Sequence, residues 1–465
     1  MSIVMKKNTN FQLFLISLIS AMGGLLFGYD WVVIGGAKPF YEQFFQIANE
    51  PMLQGWAMSS ALIGCLIGAL AAGKLSDCYG RKPILIIAAA LFVSTSVGTG
   101  LSPNFTWFNV FRLIGGFAIG AASSLSPMYI AEIAPAKLRG RFVAINQLTV
   151  VLGILAAQLV NWMIAEPVPA DATAEFIRMS WNGQTGWRLM FIVMTIPAGL
   201  FFSLGFVLPE SPRWLVVNGK RESALKILTK LVGLDNAEIE LQAIESNMHL
   251  EEKASFKQLL HPSLRKVLII GIVLAVFQQW CGINVIFNYA QEIFMSAGFG
   301  VSDVLLNIVI TGVVNVIFTV IAMYFVDKWG RKALLLLGAF GLTLIYALMG
   351  AAYYFHISGF FLLVIVVLAI ACYAMTLAPV MWIVISEIYP NKIRGIAMSV
   401  ATFALWTACF ILTYTFPLLN KGLGAAGTFW LYGLICLLGG IFVMRSVPET
   451  KGKTLEELEN ELIKK

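Results

Sequence analysis

"DCYGRK", residues 77–82, returns as "DKWGRK" at 327–332, an offset of 250 residues. A second pair repeats at nearly the same distance: "EIAPAKLRG" at 132–140 comes back as "EIYPNKIRG" at 387–395, offset by 255. Two motifs recurring in the same order predict two homologous halves. What the halves are made of is decided by what flanks the motifs. Each copy closes an apolar run of about 20 residues, the length that crosses a ~30 Å hydrocarbon layer as a helix. Such runs cover the chain at 11–36, 54–76, 83–101, 107–131, 142–163, 187–208, 266–289, 304–326, 333–355, 359–385, 396–417 and 426–445, here called spans 1 to 12.

Composition agrees. Of 465 residues, 59% are hydrophobic and 12% charged, against about 25% charged in a soluble chain, and the mean hydropathy is +0.82. The expected fold class is an all-α polytopic membrane protein with twelve transmembrane helices in two pseudo-symmetric six-helix halves. The expected boundaries are 1–208 for the N-terminal half, 209–265 for a cytoplasmic helical linker, 266–445 for the C-terminal half and 446–465 for a cytoplasmic tail. The linker carries helical apolar spacing in "NGKRESALKILTKLVG" and a charged stretch in "EIELQAIESNMHLEEKASFKQLL".

The net charge of +7 needs no nucleic-acid partner, because membrane proteins gather Lys and Arg in cytoplasmic loops. With the N-terminus inside, the basic residues left outside are mainly Lys38, Arg178, Arg188 and Lys421, and both termini are cytoplasmic. A multi-pass protein of the plasma membrane, a bacterial inner membrane, is expected, with the lipid bilayer as its surroundings and a monomer sufficient. The first run, behind Lys6 and Lys7, also has a signal-peptide reading, but its length and glycine-rich far end favour a retained helix. Cys65, Cys281, Cys372, Cys409 and Cys436 fall in spans and Cys78 in a loop, so no disulfide framework is implied. His249, His261 and His356 are scattered, and no phosphate-cradling glycine loop accompanies the "GRK" motifs. Neither an enzyme nor an ATP-driven pump is indicated, and no metal or cofactor is expected.

The repeated motifs lie in cytoplasmic loops. Asp77, Arg81 and Lys82, with Asp327, Arg331 and Lys332, read as a gate whose acids and bases pair across helix ends in one conformation and part in another. Glu132 precedes Arg139 by seven residues, as Glu387 precedes Arg394, so two symmetry-related ion pairs are expected. The plainer reading is positive-inside anchoring around a tight glycine turn.

Inside the spans, polar residues are few and grouped. Gln147, Gln158 and Asn161 form one stripe on span 5, with Gln147 and Gln158 about 20° apart around the helix. In span 7, Gln278 and Gln279 are followed by Gly282, Asn284 and Asn288. An unbroken helix would hold Asn284 about 140° from Gln279, so convergence requires a break near Gly282. Span 1 carries a carboxylate, Asp30, which costs roughly 2.5 to 3.5 kcal/mol in hydrocarbon even on mild insertion scales. The one cation well inside a span is Arg112, about 7 Å below the outer end of span 4, while Asp30 lies about 9 Å from the outer end of span 1. Equal depth permits pairing.

The loops "GRK", "PESPRWL" (209–215), "SEIYPNKIRG" (386–395) and "PETKGKT" (448–454), with "GYD" in span 1 and "FQQWCGIN" in span 7, resemble the sugar porter family of the major facilitator superfamily, in particular its bacterial D-xylose:proton symporters. The likeness runs from about residue 11 to 459. It implies a sugar importer working by alternating access, with sugar contacts at Phe27, Gln147, Gln278, Gln279, Asn284, Asn315, Trp382 and Trp406. Three departures stand out: Asn288 where xylose symporters carry Tyr, Leu405 where they carry Gln, and Ala378 in place of Gly in the span 10 "GPV" element. Asn288 is therefore added to the candidate contacts, and hexose, pentose and cyclic polyol all fit. The family also implies that Asp30 contacts Arg112 and couples a proton, since facilitative relatives carry Asn there. An energy-independent facilitator and a non-transporting sugar sensor are the alternatives.

Overall fold

The computed structural model describes residues 2–135, 138–169, 172–250, 261–296, 298–357, 359–390 and 393–451, and its regular elements are all helical. Spans 1 to 6 are Phe11–Phe44, Pro51–Tyr79, Arg81–Gly100, Phe105–Ile133, Arg139–Ile164 and Asn182–Gly205. Spans 7 to 10 are Leu264–Asn288, Asp303–Val326, Arg331–Tyr354 and Phe360–Ile388. The last helical run, Arg394–Ser446, has 53 residues and would be about 80 Å long, more than twice a hydrocarbon layer. Its backbone leaves the helical region at Gly424 (φ 67°, ψ 174°), and there spans 11 and 12 divide. The expected twelve-helix class is the observed one.

Hydrocarbon supplies no solvent force to push helices together, so close backbone approach has to hold them. Spans 2 and 4 do this with Gly64, Gly68, Gly116 and Gly120. A Cβ on any of the four would lie 1.9–2.2 Å from a carbonyl oxygen of the facing helix, closer than atoms can come. The four glycines, in pairs four residues apart, turn two helix surfaces into interlocking rails.

Two boundaries differ from the sequence reading. Span 1 continues past residue 36, through Pro39, to Phe44, because Lys38 and Glu42 are buried and paired rather than solvated outside. Span 6 opens with a wider turn, Asn182–Gly186, before its α-helical pieces. Trp187 at that junction is fully buried and donates its indole N–H to the Gly183 carbonyl.

After span 6 come helices Pro212–Val217, Arg221–Val232 and Leu234–Leu250. They share a small core of Leu215, Ala224, Leu228, Ala237 and Leu241, and Arg221 bridges Glu238 and Glu245 at 2.6 and 2.9 Å. The rest of the expected linker at 251–260 and the tail beyond 451 lie outside the described residues. The face of the bundle bearing the Gly80 and Gly330 turns is called inner below, the opposite face outer.

Candidate functional site

Span 1 places two different chemistries on one helical turn. Phe27 and Trp31 lie about 40° apart around the helix, with Asp30 about 60° from Phe27 on the other side. The aromatic pair meets Trp406 of span 11, each of the three ring centroids lying 5.9–6.1 Å from the other two, edge to face. Asp30 turns to span 4, where Arg112 Nη1 donates to both carboxylate oxygens at 2.7 and 2.8 Å. Asp30 is 5% exposed and Arg112 4%. The pair is therefore dry, and it is incomplete: Arg112 Nε has no acceptor.

Span 7 breaks where expected. Helix Pro262–Trp280 stops, Gly282 takes φ 86° and ψ −6°, a left-handed turn that a side chain resists, and a new helix runs Ile283–Asn288. The break brings Asn284 back over Gln279, whose amide oxygen accepts from Asn284 Nδ2. Tyr289 O–H then ties the second piece to the Thr413 carbonyl of span 11 at 2.7 Å. Span 10 breaks as well, at Thr376 (φ −122°, ψ −81°), between Phe360–Met375 and Leu377–Ile388. Gln278 Nε2 reaches that second break, donating to the Ala378 carbonyl at 3.4 Å. Gln278 Oε1 and Asn288 Oδ1 are buried without a partner, two acceptors left open for a hydroxyl. Trp382 on the inner piece of span 10 is half-buried.

The structure thus gathers Phe27, Gln278, Gln279, Asn284 and Trp406 through direct contacts or through helices held together by them. Asn315 is buried in span 8 and Gln147 is exposed on span 5, and no hydrogen bond joins either to the group among the described residues. The span 5 stripe is split: Gln158 is 2% exposed with neither amide atom partnered, while Asn161 donates to the Val33 carbonyl at 3.0 Å.

The inner-face motifs pair differently from expectation. Glu132 does not meet Arg139; it takes a two-point contact from Arg81, Nε to Oε2 and Nη2 to Oε1, both 3.0 Å. Arg81 also holds Asp77 at 3.0 Å. Glu387 likewise meets Arg331, at 3.5 Å, rather than Arg394. Arg139 and Arg394 instead donate to the Ala131 and Tyr389 carbonyls. The side chain of Asp327 lies outside the described residues. The symmetry is as read from the repeat, but the acid of one motif pairs with the base of the other, because the ends of spans 2 and 4 (and of 8 and 10) lie side by side. All these pairs stay within one half.

Each "GRK" helix has a further partner. Glu210 accepts from the backbone N–H groups of Arg81, Lys82 and Ser211 at 2.8–3.3 Å. Glu449 accepts from those of Arg331, Lys332, Thr450 and Lys451 at 2.9–3.1 Å. A carboxylate at a helix N-terminus satisfies donors that have no intrahelical acceptor. Burial pushes the Glu449 carboxyl up, but the N–H groups of Lys451, Arg331, Lys332 and Thr450 outweigh it and hold it below the usual carboxylate range. A lowered value means that the contact is complete at neutral pH and is lost as the pH falls through it.

Over residues 16–462 the chain matches the family described as Sugar (and other) transporter. The chain belongs to that family. It is 40% identical over 451 residues to the arabinose-proton symporter of Bacillus subtilis (strain 168), covering 97% of this chain and 95% of that protein. It is 40% identical over 479 residues to the D-xylose-proton symporter of Escherichia coli (strain K12), with coverage of 96% and 95%. A solved structure of the Escherichia coli xylose transporter, in its inward open conformation, aligns at a TM-score of 0.84 and 38% identity over 97% of this chain and all of that one. The resemblance read from the loops is therefore met by the whole chain, and the protein is a sugar transporter by family, not an enzyme.

Sequence reasoning missed several residues in this sugar transporter: Trp31, Glu210, Glu449, and a cluster of buried Lys38 and Glu42 with half-buried Glu292. Lys38 and Glu42 stand four apart on one helix, a spacing that signals a pair, and "PES" and "PET" recur after spans 6 and 12.

The two halves differ in how deeply they bury the Arg–Glu contact, which sets unequal costs. The side chain of Glu132 is 8% exposed and that of Glu387 26%. Arg81→Met leaves a buried carboxylate unpaired, a loss of about 3–5 kcal/mol, whereas water reaches Glu387 in Arg331→Met. Thermal unfolding of the purified variants should show Arg81→Met melting well below Arg331→Met; equal melting points would mean that the contacts are equally wet.

Proposed function

We propose that this sugar transporter is a proton-coupled importer of a neutral aldose, a pentose or hexose such as D-xylose or D-glucose, working by alternating access in the bacterial inner membrane with both termini cytoplasmic. The observation that carries the reading is the single turn of span 1 that faces Arg112 with Asp30 and Trp406 with Phe27 and Trp31. Any rotation of that turn moves the proton site and the aromatic wall together. The two relatives named above are a pentose symporter each by name, which supports the substrate class and the proton.

In this reading Gln278, Gln279, Asn284 and Asn288 supply amides for hydroxyls, with Gln147 and Asn315 added from spans 5 and 8. Phe27, Trp382 and Trp406 supply faces for the C–H side of the ring. Asp30 holds Arg112 while ionised; a proton on Asp30 cancels the attraction and frees span 1 from span 4. One proton moving down 100 mV releases ~2.3 kcal/mol, enough to concentrate a neutral sugar roughly 50-fold. The inner motifs act as rigid corners of each half, since Arg81, Glu132, Arg331 and Glu387 pair within halves.

Reconstituted protein tests this. A panel of unlabelled sugars competing against one labelled aldose identifies the substrate, and accumulation should vanish when the proton gradient is collapsed; undiminished accumulation would overturn coupling. Gln279→Ala, which removes one buried amide partner, should weaken binding about tenfold, as one hydrogen bond of about 1–1.5 kcal/mol requires.

A further inference from the structure

The outer ends of spans 1 and 7 are joined by charge. Lys38 is 1% exposed and Glu42 5%. Lys38 Nζ lies 3.0 Å from Glu42 Oε1, one turn along the same helix, and contacts Glu292 Oε1 of the other half. It also lies 5.4 Å from the centre of the Tyr289 ring. One ammonium thus serves two carboxylates.

Among the described residues, no other group at the junction supplies the missing positive charge. Gln54 of span 2 gives Glu42 Oε2 a neutral donor at 3.2 Å. The Tyr41 hydroxyl goes to the Met58 sulfur, that of Tyr289 to Thr413, and that of Tyr353 in span 9 to the Ile293 carbonyl. Arg112 is committed to Asp30, and Arg188, stacked on Phe44, gives its donors to the carbonyls of Gln184, Gly100 and Ser102. Glu292 Oε2 accepts no hydrogen bond, and Glu42 Oε1 has only the Lys38 ammonium at 3.0 Å. With both glutamates ionised the closed junction would hold a net charge of minus one; the Glu292 side chain is 26% exposed, so the cost falls on Glu42, whose buried carboxylate would share its one ammonium with a second acid.

We propose that Lys38, Glu42 and Glu292 form a second proton-binding site, a latch between the halves that takes up one proton as the outer face closes and gives it back when that face opens. It rests on the alternating-access reading above. The proton enters and leaves on the outer side, so the latch adds nothing to the transport stoichiometry. It sets instead how readily the outer face opens at a given external pH. Low pH favours the closed form because that form holds the extra proton; rising pH favours opening.

The test measures the distance between spin labels on cysteines at Asn49 and Met295, both exposed at the outer ends of the two halves. The full chain carries Cys78→Ser to remove the exposed thiol and Asp30→Asn to silence the other carboxylate. The closed-to-open ratio should fall by up to about tenfold per pH unit, the slope of one proton. Glu292→Gln and, independently, Glu42→Gln should stay closed at every pH, because Lys38 then meets a single carboxylate. Lys38→Met should open at neutral pH, the opposite sign. A pH response undiminished in both glutamine variants overturns the latch, as do two populations in fixed proportion at every pH. A single distance at every pH, with and without sugar, overturns alternating access itself and the latch with it.

Discussion

Asp30→Asn should bind sugar and exchange it across the membrane but accumulate none. The substitution keeps the shape of the side chain and one oxygen for Arg112, yet it carries no titratable proton. Arg112 Nη1 loses a contact to two ionised oxygens at 2.7 and 2.8 Å and meets a neutral amide in a site that is 4–5% exposed. Breaking a buried pair costs about 3–5 kcal/mol, so lower yield of folded protein is part of the expectation, and flux has to be normalised to folded protein in reconstituted vesicles. Accumulation driven by a proton gradient alone should drop from roughly 50-fold per 100 mV to none, and sugar-dependent alkalinisation outside the vesicle should disappear. Counterflow of labelled sugar should persist. If the variant still concentrates sugar, the pair is a structural tie between spans 1 and 4, and the proton is carried elsewhere.

Gly35→Leu should abolish transport by the opposite route, leaving the proton site untouched. Spans 1 and 7 touch backbone to backbone at Gly35, where a Cβ would lie 3.0 and 3.1 Å from the carbonyl oxygens of Asn288 and Phe287. Both neighbours are main chain in a fully buried segment, so neither can swing aside. A leucine there forces the outer ends of the halves apart. The variant should bind sugar from outside with near-normal affinity and release none inside, and a thiol introduced on the outer path should label at the rate of the open form. Gly73→Leu is the control, because nothing lies within 4 Å of its Cβ position. Wild-type flux in Gly35→Leu would show that spans 1 and 7 do not have to meet.

The fold was legible because the membrane imposes it. Twenty apolar residues have few structures open to them in hydrocarbon, and the repeated "GRK" loops, each after the second span of its half, show that one pattern is written twice. The break at Gly282 was legible for a different reason: Gln279 and Asn284 cannot meet on a straight helix. Equal depth permitted the pairing of Asp30 with Arg112, and the family resemblance implied it. The inner-face pairs did not follow, because a spacing of seven along the chain says nothing about which helix end is next door, and Glu132 found Arg81 instead of Arg139. Lys38 was misplaced by the rule that sorts basic residues between the two sides of the membrane. That rule counts charges without asking whether two glutamates wait for them in the interior.

The carboxylates of Glu210 and Glu449 also bear on how the chain is made. Each is the last piece of its half to leave the ribosome, arriving only after the sixth helix of that half, and each reaches back more than a hundred residues to the turn at Gly80 or Gly330. A half cannot finish its corner until it is fully synthesised, and it needs nothing from the other half to do so. Assembly should therefore proceed in two separately completed stages. A chain cut short just before Glu449 would insert all its helices and still leave the second stage unfinished.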